Sequence, residues 1–240
     1  MTQLRTGSST DTGKTRKRNE DAYLVELSEK IKKLAVADGM GGHQGGHVAS
    51  RLALEIIDGF KIEEETFKAD MEKAIYQANE KVMARAKADS DLEGMGTTVT
   101  FLGINGNRGL VAHVGDSRLY LFRDGNLQRI TRDHSLVEEM VRQGKLTSEE
   151  AEKHPQRNVL LQALGVEKNI EIEFYDLSLC TGDLFLLCTD GLTGLVSEEE
   201  IQNELKGNED LQELADRLVK LANDRGGHDN ITVVLCAYDG

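Results

Sequence analysis

Between residues 97 and 130, four short β-rich runs (97–104, 108–114, 118–123 and 127–130) are separated by Asn105-Gly106-Asn107, Gly115-Asp116-Ser117 and Asp124-Gly125-Asn126. No other stretch restricts the fold as strongly. Asn-Gly and Asp-Gly accept the positive φ angles of tight hairpin turns, so the first and last linkers predict hairpins. Consecutive hairpins pair antiparallel, which makes this segment a meander and excludes a doubly wound parallel sheet.

Helical patterns surround it. Val48, Leu52, Ile56 and Phe60, with Ala49, Ala53 and Ile57 beside them, mark one face of a helix over 44–60. Phe67, Met71, Ala74, Ile75, Ala78 and Val82 predict a second, running to about Lys87. After the meander, helical texture returns at 135–144, and Thr147-Ser148-Glu149-Glu150 has the spacing of a capping box. Strands are expected at 170–177 and 184–188. Ser197 and Glu200 cap another helix, and Leu211, Leu214, Ala215, Leu218, Leu221 and Ala222 form one more helical stripe. Residues 231–237 make a strongly apolar last strand. Strand groups alternating with helical pairs predict packed sheets with helices outside. One proline, Pro155, no Pro/Ser-rich linker and no internal repeat lead us to expect a single domain over 1–240.

Composition narrows the function classes. Hydrophobic residues make up 39% and charged residues 30%, as in ordinary soluble globular proteins. A formal net charge of −13 leaves no broad basic surface for DNA or RNA. Lys14, Arg16, Lys17 and Arg18 form only a short local patch. Cys180, Cys188 and Cys236 are isolated, without CxxC spacing, which argues against a disulfide framework and a thiolate metal site; all three read as buried, reduced core residues. No basic-plus-apolar leader is visible and no apolar run approaches the ~20 residues of a membrane span. The expectation is a soluble, cytoplasmic protein.

Asp38 opens a stretch holding Gly39, Gly41, Gly42, Gly45 and Gly46. Glycine gives up backbone entropy, so the cluster is either a flexible loop or a backbone brought close to an ion or phosphate beside a fixed carboxylate. On this stretch alone both readings stand. Asp38 has counterparts, however. Asp190-Gly191 closes an apolar strand, Asp229 precedes the last strand, Asp21 (with Glu20) precedes what reads as the first strand, and Asp116 lies between two strands. Each taken singly is ordinary turn chemistry. If these ends share one edge of a sandwich, such like charges need a compensating cation. Carboxylates, backbone carbonyls and water suit Mg²⁺ or Mn²⁺, whereas Zn²⁺ favours Cys and His. Chemistry of this kind is typically phosphoryl transfer to water between two metals about 3.5–4 Å apart.

With these residues in place, the chain resembles the metal-dependent, type 2C serine/threonine protein phosphatases in their compact bacterial form. The matching segments, in the family's order, are Arg16-Lys17-Arg18-Asn19-Glu20-Asp21, Val36-Ala37-Asp38-Gly39-Met40-Gly41-Gly42-His43, Gly96-Thr97-Thr98, Val114-Gly115-Asp116-Ser117-Arg118, Leu187-Cys188-Thr189-Asp190-Gly191-Leu192 and His228-Asp229-Asn230-Ile231-Thr232. The resemblance implies an α+β fold, a four-layer αββα sandwich of two antiparallel sheets flanked by helices. It implies two core Mn²⁺ or Mg²⁺ ions bridged by Asp38, with the carbonyl of Gly39 facing one of them and Asp190 and Asp229 holding the second. Asp21 and Glu20 would act at or just outside the first ion's ligands. Asp116, with Asp190, would serve a third, weaker site. Arg16 would grip the substrate phosphate through its planar fork.

The implied activity is hydrolysis of phosphoserine and phosphothreonine in proteins by direct attack of a metal-bridging water, opposing a cognate serine/threonine kinase. No protein nucleophile is needed, and Cys188 lacks the glycine-rich loop and arginine of a cysteine phosphatase. Eukaryotic relatives carry a histidine where this chain has Met40. His43 or a metal-bound water could then protonate the leaving alcohol, and His43 reads equally as a loop residue oriented by a carboxylate. His47 is expected to be structural; His134, His154 and His228 have no evident partner. Residues 134–165 resemble the family's flap, a mobile cover that helps choose substrates; they also read as two ordinary connecting helices. The expected state is a monomer without a nucleic-acid partner. The rival reading is a catalytically weak regulatory phosphoprotein-binding module of the same fold, which should have lost metal carboxylates, and none is missing. A metal-dependent nuclease conflicts with the −13 charge.

Overall fold

The last strand, β12 (Ile231–Tyr238), is buried at every position, which requires protein on both of its faces. The computed structural model, which describes residues 3–41, 45–207 and 210–240, supplies them. One sheet runs, in spatial order, β1 (Leu4–Asp11), β12, β11 (Asp183–Cys188), β8 (Arg118–Arg123) and β9 (Asn126–Arg129). The other runs β10 (Glu173–Ser178), β7 (Arg108–Val114), β6 (Val99–Asn105), β3 (Lys32–Ala37) and β2 (Ala22–Glu26). All neighbours are antiparallel. A small ladder joins β4 (Gly39–Met40) to β5 (Gly96–Thr97).

Because side chains alternate along a strand, each central strand feeds two cores. Val234 and Cys236 of β12 and Leu34 and Val36 of β3 fill the space between the sheets. Val233 and Leu235 instead pack under α6 (Glu198–Leu205) and α7 (Leu211–Asp224), and Ala35 and Ala37 under α1 (Gly45–Gly59) and α2 (Phe67–Ala88). Strands covered on both faces read as continuous apolar runs. The four-layer αββα sandwich is therefore the architecture of the chain. The exception in β3 is Lys33, fully buried, whose Nζ donates to the carbonyls of Asp58 at 2.6 Å and Phe60 at 2.9 Å at the end of α1. Those carbonyls lack helical partners, and the lysine satisfies them.

Several expectations change. The meander is divided: β6 and β7 form a hairpin in one sheet, β8 and β9 a hairpin in the other, and Gly115-Asp116-Ser117 crosses between them. The run from 97 breaks at Thr98, whose amide donates to the Asp38 carbonyl at 2.9 Å. The first strand is β1, so Asp21 precedes the second. Cys180 is exposed, in the turn before β11, where its amide donates to Asp183 at 2.8 Å; Cys188 and Cys236 are buried. The Asp124-Gly125 turn holds φ of 52° and 79°, as an Asp-Gly hairpin requires.

The 134–165 segment contains α3 (Leu136–Arg142), capped by Ser135, and α4 (Ser148–Glu152), whose Thr147–Glu150 capping box is complete. Its two ends meet. Leu161 N donates to His134 O at 2.7 Å and Leu136 N to Val159 O at 2.8 Å, while Leu164 and Thr97 exchange backbone bonds of 2.9 and 3.0 Å. The returning limb thus joins the β4–β5 ladder. His134 accepts from Gly115 N at 3.3 Å and stands 3.7 Å from Glu173, His154 accepts from Gln156 N at 3.2 Å, and His47 bonds the Asn19 carbonyl at 3.0 Å.

Candidate active site

Strand register brings the aspartates together. Ala22 pairs with Ala37, so Asp21 and Asp38 each lie one residue beyond that pair, at the same end of β2 and β3. Cys188 pairs with Arg118, so Asp190 and Asp116 each lie two residues beyond it. Thr189 N donates to Thr232 O at 3.1 Å, continuing the β11–β12 ladder toward Asp190, which opens α5 (Asp190–Thr193), and Asp229. Two sheets thus deliver their carboxylates to one edge of the sandwich.

The charges feel one another. Burial, reinforced by Asp21, Asp190, Asp116 and Asp229, holds Asp38 well above the usual carboxylate range. Burial also raises Asp116, with Asp190 and Asp133 adding to it. Asp190 is raised by burial and by Asp229, while a hydrogen bond with Asp38 offsets part of the shift. Asp21 is pushed up to about 7 by burial, against hydrogen bonds from Thr232 and Thr189. Glu20 is raised by burial, with Arg16 and Arg18 opposing.

The supporting shell is made of hydroxyls and one amide that the sequence reading missed. Thr232 Oγ1 and Thr189 Oγ1 donate to Asp21 Oδ2 at 2.7 and 2.8 Å. Asn230 accepts from Glu20 N at 2.8 Å and donates to the carbonyls of Thr12 and Arg18, both at 2.9 Å, fastening the loop that carries Arg16 and Glu20. Asp38 N donates to Thr98 Oγ1 at 2.9 Å. Their only signal in the sequence is that they sit inside the quoted motifs.

Gly39 is required by crowding. A Cβ there would lie 2.2 Å from the Gly46 carbonyl oxygen and 2.4 Å from that of Glu20. Its bareness lets the first turn of α1 close against the loop before β2. Arg16 is half exposed and donates from Nη2 to Asp229 Oδ2 at 2.8 Å. Burial works against its charge, but Asp229, Asp38 and Glu20 hold its pKa above the ordinary value. His43 lies outside the described residues. The structure therefore brings together Arg16, Glu20, Asp21, Asp38, Gly39, Asp116, Asp190 and Asp229.

Among the described residues no three acidic, histidine or cysteine side chains form a closed metal cage. Yet the residues fit hard divalent cations. Asp21 Oδ1 and Asp190 Oδ1 are buried without any hydrogen-bond partner, a costly state for a polar atom. The donors are all oxygens, which suits Mg²⁺ or Mn²⁺.

Residues 11–236 match the protein phosphatase 2C family. The chain is 40% identical over 233 residues to the serine/threonine phosphatase stp of Listeria innocua, covering 94% of this chain and 92% of that one. The crystal structure of the Mycobacterium tuberculosis serine/threonine phosphatase PstP/Ppp superposes with a TM-score of 0.92 at 38% identity, covering 100% of both chains. The catalytic domain of PstP in complex with 2 manganese ions gives a TM-score of 0.90 at 36% identity, again over 100% of both. Sequence, fold and the placement of the carboxylates agree: the chain belongs to the protein phosphatase 2C family.

Proposed function

We propose that the chain removes phosphate from phosphoserine and phosphothreonine in proteins, using divalent cations held at the strand ends. The observation that carries this reading is the pair of buried, unpartnered oxygens, Asp21 Oδ1 and Asp190 Oδ1, within a cluster of mutually repelling aspartates. Asp38, which feels four other aspartates, would be common to two core ions, together with the Gly39 carbonyl, Asp190 and Asp229. Asp116 with Asp190 would hold a third. Glu20 and Asp21 would orient that set. Bound there, Mn²⁺ or Mg²⁺ supplies Lewis acidity and acidifies water for attack on phosphorus.

The chain's own residues do the rest. Arg16 presents a planar fork that pairs two phosphate oxygens. Thr189 and Thr232 hold Asp21 in place through its other oxygen. Neither buried thiol competes as nucleophile, since burial pushes both Cys188 and Cys236 up to about 12, and the exposed Cys180 lies before the start of β11 whereas Asp190 follows its end. His43 is retained as a candidate proton donor to the leaving alcohol. The reading takes 1–240 as one catalytic domain with 134–165 as its flap, acting as a monomer on phosphorylated proteins against a cognate kinase. Free cysteines are what a reducing compartment preserves, which supports the cytoplasm. Among the described residues no helix is long and apolar enough to cross a membrane.

Phosphate release from a phosphothreonine peptide tests this. Release is expected with Mn²⁺ or Mg²⁺ and none with excess chelator; undiminished release in chelator would overturn the metal-dependent reading.

A further inference from the structure

Beside the carboxylates, between Met40 of β4 and the returning limb of the 134–165 segment, lies a cavity of about 260 Å³. Its apolar lining comes from Met40, Leu160, Leu161, Ala163 and Val166. Five large apolar side chains are exposed among the described residues, and three of them, Val159, Leu161 and Val166, stand on this limb. The cores of the sandwich need none of the three. An apolar patch concentrated at one place marks a surface that meets something.

The patch is tied to the catalytic edge. Met40 follows Gly39 and pairs with Gly96. A Cβ at Gly96 would lie 2.9 Å from both Met40 Cε and Val166 Cγ2, so the two methyl groups converge over a position that glycine leaves open. The Thr97–Leu164 backbone bonds fix the limb to the same ladder, and the His134–Leu161 and Leu136–Val159 bonds close it on the other side. The apolar wall is therefore held at a set offset from Asp38.

Size and charge say what fits. At about 260 Å³ the cavity lies at the lower edge of small-molecule sites, which run from roughly 300 Å³ upward, and suits a single side chain. Glu167 lines it as well, and the chain carries −13 overall, so an acidic occupant is repelled. The geometry points to a subsite for one apolar side chain of the phosphoprotein, such as leucine, methionine or phenylalanine, flanking the phosphorylated residue. Met40, Leu161 and Val166 are then specificity-determining residues. The assignment rests on the phosphatase reading above.

The test uses phosphothreonine peptides flanked only by serine, and a set with a single leucine at each of three positions on either side. With the full chain in Mn²⁺, one leucine position is expected to raise kcat/KM about tenfold over the all-serine peptide, chiefly through KM. In Leu161→Ser/Val166→Ser that preference should fall below about twofold. Both side chains are exposed, and a melting curve checks that the variant is folded. No preference at any position, or one that survives the double substitution, overturns the subsite. Sedimentation that finds a dimer lost in Val166→Ser also overturns it, because a second copy then covers the patch. Failure of the parent chain to release phosphate from any peptide of the set removes the phosphatase reading itself, and the subsite with it.

Discussion

Arg16 Nη2 stands 2.8 Å from Asp229 Oδ2, so the residue assigned to phosphate is paired with a residue assigned to metal. The pair is half exposed and contributes little to stability; its importance is positional. In the proposed reaction, a phosphate arriving at the centre would exchange one anionic partner of Arg16 for another. Arg16→Ala is expected to raise KM about tenfold or more, as for a lost charge-assisted bond, with kcat changed much less. Arg16→Lys should recover only part of the loss, because a point charge lacks the fork. Steady-state kinetics on one phosphopeptide at saturating Mn²⁺ decide it, and a large fall in kcat at constant KM would assign Arg16 to the transition state instead.

Asp38 lies where the other four aspartates all act on it. Asp38→Ala should cut turnover by at least about a hundredfold, more than losing an outer-shell partner does. The metal-free variant should melt no lower than the parent, since a repelled carboxylate has been removed. Near-normal turnover in saturating Mn²⁺ would refute the assignment.

The metal-free protein should lose stability as pH rises. Asp21 moves from 3.8 to about 7 on folding, so the folded state binds this proton more tightly than the unfolded chain does. The stabilisation is fully present below pH 3.8 and is lost as pH rises through about 7. Asp38, Asp116 and Asp190 shift in the same direction. Melting temperatures in chelator should therefore fall from about pH 5 to about pH 8, and excess Mn²⁺ should remove the trend by neutralising the same carboxylates. Identical profiles with and without metal would contradict this.

Thr232 Oγ1 donates to Asp21 Oδ2 at 2.7 Å. Thr232→Val keeps the shape and removes the donor, leaving Asp21 harder to ionise. Mn²⁺ affinity, read by calorimetry, is expected to drop about tenfold, with kcat at saturating Mn²⁺ nearly unchanged. An unaltered affinity would separate Asp21 from metal binding.

Iodoacetamide should modify Cys180 alone, because Cys188 and Cys236 are buried and their thiols are pushed up to about 12. One adduct by mass spectrometry with activity retained is the expected result. Activity lost on modifying the folded protein would require a thiol in the mechanism.

The helices and tight turns were legible because their signals are local. The periodicity of 67–88, the Thr147 and Ser197 capping boxes and the Asp124-Gly125 turn each lie within a few residues of chain. β1 was invisible. Leu-Arg-Thr-Gly-Ser-Ser-Thr-Asp is an edge strand with one buried position, so no apolar alternation announces it. The crossing at Gly115-Asp116-Ser117 reads in the sequence as part of one continuous meander, since nothing in three residues says which sheet comes next. The carboxylates could be found as aspartates at strand ends. The hydroxyls that hold them could not, because Thr189 and Thr232 reach Asp21 across 168 and 211 residues of chain, and such a contact exists only once the register is set.

That register has a consequence for how the cluster assembles during synthesis. β12 follows every other described strand in the chain, yet it sits between β1 and β11 in the sheet, and Asp229 lies two residues before it. Until β12 has left the ribosome, β1 has no neighbour in its sheet, Asp21 lacks the hydroxyl of Thr232, and Arg16 lacks its acidic partner. A chain made only as far as β11 holds Asp38 and Asp116 without Asp229. The carboxylate cluster is therefore completed in one step, when β12 slots between strands already made.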